Sequence, residues 1–151
     1  MDMKFNTQVC TTREQSERLL ALGLKKETAD CRWVGLVKDA KGNDIPKKKQ
    51  VWFTQTREDE CAMVCGFMRY DFIPAWSLHR LIAMMPKCYK KEYYLHISGS
   101  EVRYLLNGNA EQDISHYSFW VKDNLYENII NCIEWLIKEY NFNKQYLNES
   151  L

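Results

Sequence analysis

One stretch near the end of the chain, "DNLYENIINCIEWLIKEY" (123–140), limits the folds available more than any other. At about 100° per residue, Leu125, Tyr126, Ile129, Ile130, Cys132, Ile133, Leu136, Ile137 and Tyr140 fill an apolar arc of roughly 160°. Glu127, Asn131, Glu134 and Lys138 form a narrow polar stripe. An arc that wide is more than one neighbour can cover. The pattern therefore predicts a long C-terminal helix packed on a sheet and also against another helix or a second subunit, so a homo-oligomer through this face is one expectation. Trp135 falls outside the arc, beside Asn128 and Glu139, and reads as a rim residue or a partner contact, the rim being the simpler.

The sheet this helix needs lies just upstream. "YYLHI", "VRYLLN" and "HYSFWV" are rich in aromatic and branched residues, and turn-forming "SGS" and "NGNAEQD" separate them, which predicts an antiparallel meander. Alternation puts Tyr93, Leu95 and Ile97 on one face, Val102, Tyr104 and Leu106 on one face of the next strand, and Tyr117, Phe119 and Val121 on one face of the third. Nearer the N-terminus, Thr11 with Glu14 or Thr12 with Gln15 has the spacing of a capping box, and Gly23 is placed to end a short helix. "CRWVGLV" and "QVWFTQ" read as two strands joined by an exposed, hairpin-like loop, "KDAKGNDIPKKK". Residues 57–70 carry mixed signals: an acidic start suits a helix, whereas Gly66 and the following aromatics suit a strand. The chain has 151 residues, 46% hydrophobic and 13% aromatic, enough apolar surface for one substantial core. The expected fold class is α+β, an antiparallel sheet meander covered by the long C-terminal helix with two shorter helices, in one domain spanning 1–151.

The second short helix is expected within "IPAWSLHRLIAMMP" (73–86). Ser77 can cap it. Leu78, Leu81, Ile82 and Met85 then line one face, His79, Arg80 and Ala83 the other, and Pro86 stops it. Pro74 and Trp76 look like devices that fix the incoming chain and anchor the helix with a large buried ring. His79 points away from the apolar stripe and reads as solvated.

Chemistry is sparse. Lysine plus arginine (21) nearly balances aspartate plus glutamate (20), so any nucleic-acid binding must rest on a local patch. Apolar runs fall far short of the roughly 20 residues a spanning helix needs, and no membrane association is expected. The N-terminal "MDMKFNTQVCTTREQ" lacks the apolar stretch of a secretory signal, so a cytoplasmic location is expected. In that compartment the six cysteines read as free, buried thiols. Cys61 and Cys65 have a helical spacing, but His79, His96 and His116 are scattered singly, so neither a metal nor any other cofactor is expected. No GxSxG, HExxH or phosphate-cradling glycine loop is present, and the expectation leans away from an enzyme. A small Cys/His-dependent or metal-dependent enzyme stands as a further alternative.

Two basic segments offer the local patch. Lys47, Lys48 and Lys49 sit in the first loop, and "PKCYKKEYY" (86–94) interleaves Lys87, Lys90 and Lys91 with Tyr89, Tyr93 and Tyr94, a mix of cations for phosphates and rings for bases. The plainer reading has the lysines solvated and the tyrosines packed beneath them. With Trp135, the candidate interaction surface is Lys47, Lys48, Lys49, Lys87, Tyr89, Lys90, Lys91 and Trp135.

Three stretches, "KKETADC" (25–31), "IPAWSL" (73–78) and the closing "YENIINCIEWLIKEYNFNKQYL" (126–147), carry a resemblance. Thr28, Ala29 and Asp30, then Ile73 to Leu78, then Ile133, Trp135 and Leu136 resemble the pattern of small uncharacterised proteins encoded in phages, prophages and mobile elements of gut bacteria of the Bacteroides group. The match leaves roughly 32–70 uncovered and brings no catalytic residues with it. It implies a protein made by a virus or integrated element inside a bacterial cell. The leading expectation is thus a non-enzymatic accessory or interaction protein with a host or defence protein as partner. Nucleic-acid binding through 46–50 and 86–94 is the alternative.

Overall fold

The computed structural model describes residues 8–56, 65–107, 116–121 and 123–149. Helix α1 (Arg13–Ala21) starts at Thr12, whose hydroxyl accepts from the Gln15 amide while the Gln15 side chain accepts from the Thr12 amide. Thr11 is not the cap because its hydroxyl is engaged by Ser16 and by the Trp76 amide. Gly23, at φ +97°, closes the helix: its amide bonds Leu20 O and the Leu24 amide bonds Leu19 O, the paired bonds of a Schellman end.

Strands β1 (Cys31–Lys38), β2 (Trp52–Thr56) and β3 (Arg69–Ala75) form an antiparallel three-stranded sheet in the order β2-β1-β3. The expected hairpin is present as β1 and β2. β3 is an addition, built from the end of the ambiguous 57–70 stretch and the start of the 73–86 segment. Pro74 fits because β3 is an edge strand, where a missing amide donor leaves no gap in the ladder. On the inner face Trp52 lies over Gly35, so closely that a Cβ there would overlap the indole. The Arg13 guanidinium covers the other side of that indole at 4.8 Å.

Ser77 caps α2 (Leu78–Met84) as expected, accepting from the Arg80 amide. The helix stops at Met85, which turns extended ahead of Pro86. The second sheet runs β4 (Cys88–Tyr89), β5 (Tyr93–Ser98), β6 (Glu101–Leu106) and β7 (His116–Phe119), antiparallel and in chain order. The predicted meander is β5 to β7. The charged connector contributes β4 as an extra strand, and Val121 lies beyond β7 and is exposed. The molecule is therefore α+β with two antiparallel sheets where one was expected, and three α-helices among the described residues.

Helix α3 (Leu125–Lys138) is capped by Asn124 and covers the inner face of the second sheet. Ile129, Ile130, Cys132, Ile133 and Leu136 are fully buried in a cluster shared with Leu19 of α1, Leu81 of α2, and Val102 and Tyr104 of β6. The wide apolar arc is thus mostly covered within the chain, by the sheet and by helices α1 and α2. The polar stripe is covered as well: Gln15 donates to Glu127, and Arg18 donates to Asn131 and to Glu134 at 2.6 Å. Arg18 and Lys138 beside Glu134 hold its carboxyl below the usual glutamate range. Trp135 is no rim residue. Its ring sits 4.7 Å from those of Tyr89 and Tyr117 and 5.4 Å from Phe119, so it is the centre of the aromatic layer between helix and sheet. Tyr140, placed in the apolar arc by periodicity, lies past the helix end and is 88% exposed.

Candidate functional site

The segments that carry the resemblance meet in space. The fully buried Trp76 donates its indole N–H to Thr28 Oγ1 at 2.9 Å, and Asp30 accepts from both the amide and the hydroxyl of Ser77. Arg80 donates from Nε to Thr28 O at 2.8 Å. Asp30 and Ser77 together thus cap α2, while Thr28 satisfies the one polar atom of a buried tryptophan. This node is a structural joint. Cys10 and Cys31 stand beside it, but burial first and the Asp30 carboxylate second push their thiols up to about 11 and about 12. A nucleophilic cysteine needs neighbours of the opposite sign.

The other candidates are dispersed. Cys61 lies outside the described residues, and Cys65 is exposed. His79 is exposed on α2 and His96 on β5. Among the described residues no three His, Cys, Asp or Glu side chains gather in a way that could hold a metal ion. No helix among them is long and apolar enough to cross a membrane.

The lysine segments belong to different sheets. Lys47, Lys48 and Lys49 form an exposed 3₁₀ turn immediately before β2. Lys87, Lys90 and Lys91 are exposed around the β4–β5 turn. Tyr89, between them, is only 1% exposed and packs in the aromatic layer under Trp135. Tyr89 therefore leaves the interaction surface, Trp135 is half-buried against the aromatic layer, and of the tyrosines at 89–94 only Tyr94 is exposed.

What remains open is the outer face of the three-stranded sheet. Val34 on β1 is paired with Phe53 on β2 and Phe72 on β3, so the three side chains share one face. Val34 is fully buried between rings that stay 41% (Phe53) and 50% (Phe72) exposed. The next row holds Gln55, Arg32 and Pro74. The Arg32 guanidinium donates to Gln55 Oε1 at 3.1 Å and lies 4.5 Å from the centre of the Phe72 ring. Beside Phe72, Arg32 and Pro74 the turn carrying Lys26 and Glu27 closes a groove of about 310 Å³. The arrangement offers two rings, a guanidinium packed over one of them, and an amide, all on an antiparallel sheet.

The signal for this face was present but divided. In "QVWFTQ" the period-2 alternation sets Phe53 opposite Trp52, so one of two aromatics must face outward. Phe72 became legible only once "RYDFIPA" was a strand, and the proline in it argued the other way. Comparison of the chain with protein-family models, with curated proteins and with solved structures finds no match in any of the three.

Proposed function

We propose that this is a non-enzymatic accessory protein of a phage or mobile element that acts by binding, with the outer face of β2-β1-β3 as its contact surface. One observation carries the reading: Phe53 and Phe72 stand exposed on either side of Val34 on a regular sheet, where a solvated face would ordinarily alternate to polar residues. The raised thiols of Cys10 and Cys31 make those two poor nucleophiles. The genomic setting rests on the resemblance carried by Thr28–Asp30 and Ile73–Leu78 alone.

The test is photo-crosslinking in the producing cell. A photoreactive phenylalanine analogue is installed at Phe72, or at Glu17 on the exposed side of α1 as the control. The expected result is a discrete crosslinked species from position 72 and none from position 17. Crosslinks that are equal at both positions, or absent at 72, would overturn the assignment of the face.

A further inference from the structure

We infer that the open sheet face is a platform for single-stranded nucleic acid, an inference that rests on the binding role proposed above. The face contributes Phe53 and Phe72 as rings, Arg32 as a cation and Gln55 as an amide, and no carboxylate shares those rows. The two rings stand on the strands flanking β1, about 10 Å apart at two strand spacings. Bases stack on exposed rings whatever their sequence, and a guanidinium plane laid over an aromatic ring is itself a stacking surface with charge for phosphate.

Charge is disposed to match. Arg32 and Lys26 border the groove beside Phe72, and Glu27 is the one acid on its rim. In the chain, the exposed Lys47, Lys48 and Lys49 come just ahead of β2 and Phe53. A single strand crossing the sheet from β3 to β2 would meet the Phe72 ring, the Arg32 guanidinium of the central strand and the Phe53 ring in turn.

Size decides between this and a protein partner. Five residues by three strands give a face of about 17 by 15 Å. That is well below the roughly 800 Å² that each side of a stable protein interface buries. A few nucleotides fit it. Duplex is disfavoured, because its bases are stacked on one another and cannot reach Phe53 and Phe72.

The experiment is fluorescence anisotropy with the intact protein and a labelled 12-nucleotide oligothymidylate, oligouridylate or a 12-base-pair duplex, each at low salt and then titrated with salt. Expected are binding of the single strands, at least tenfold weaker binding of duplex, and loss of affinity with salt. The double variant Phe53→Ala/Phe72→Ala should lose at least tenfold, in line with stacking on each ring. Lys47→Glu/Lys48→Glu/Lys49→Glu should weaken binding and flatten the salt dependence. Lys87→Glu/Lys90→Glu/Lys91→Glu, on the other sheet, should leave both unchanged. Amide-shift mapping of the unaltered protein with a six-nucleotide strand, expected to move Arg32, Phe53, Gln55 and Phe72, gives the answer even where a variant fails to fold. No binding by any oligonucleotide, or shifts confined to the β4–β7 sheet, overturns the inference. Such a result together with a protein crosslinked at position 72 would leave the binding face standing with another partner. Failure of both would remove the face altogether.

Discussion

Trp76 concentrates what single residues contribute to this molecule. It is fully buried, its indole N–H is bound to Thr28 and its backbone to Thr11, so both its apolar and polar parts are satisfied. Trp76→Ala would leave a cavity bounded by a rigid joint, and a loss of about 3 to 5 kcal/mol is expected in chemical denaturation. An unchanged midpoint would show that the ring is not a core anchor. The role of Trp76 was legible because a tryptophan between a strand-like entrance and a helix cap has few other uses. Trp135 was not. The helical wheel records direction around an axis and ignores length, and an indole at the margin of the arc is long enough to reach the sheet and touch Tyr89, Tyr117 and Phe119.

The same contrast holds between elements. Helix α3 and strands β5 to β7 follow from period and turn residues alone. β4 did not, because lysines surround its two residues and only its pairing with Tyr93 and Tyr94 makes it a strand. Helix ends supply a sharper comparison. Both α1 and α3 close with Schellman bonds: the Leu24 amide to Leu19 O in one, the Asn141 amide to Leu136 O in the other. The residue that must turn left-handed is Gly23 in the first and Tyr140, at φ +56°, in the second. A side chain in that conformation costs about 1 kcal/mol that glycine avoids, and the exposed Tyr140 ring recovers little of it by packing. Tyr140→Gly should therefore stabilise the protein by about 0.5 to 1 kcal/mol in a denaturant titration. A clear destabilisation would mean that the ring has a packing role its exposure hides.

At the scale of the whole molecule, the question is whether the two sheets form one cooperative unit. The open face belongs to one sheet, and most of the core lies under the other. Thr11 joins them. Its amide and hydroxyl bond the backbone of Trp76 where β3 leads into α2, its carbonyl accepts from Trp33 of β1 at 2.9 Å, and its hydroxyl also meets Ser16 of α1 at 2.7 Å. None of this is visible in sequence, where Thr11 and Thr12 are equivalent caps; only the meeting of three distant segments, at Thr11, Trp33 and Trp76, distinguishes them. Thr11→Val keeps the shape but strands the Trp76 amide in the interior, a cost of about 1 to 3 kcal/mol. Fluorine-labelled tryptophan gives separate probes, Trp52 in the first sheet and Trp135 over the second. In the unaltered protein both resonances should be lost at one denaturant concentration, and Thr11→Val should lower that concentration for both equally. If Trp52 melts ahead of Trp135 and only its transition moves in the variant, the first sheet is an independently unfolding layer. The rigidity that holds Phe53 and Phe72 in register would then depend on the ligand they bind, since ordering the sheet would draw on the binding energy itself.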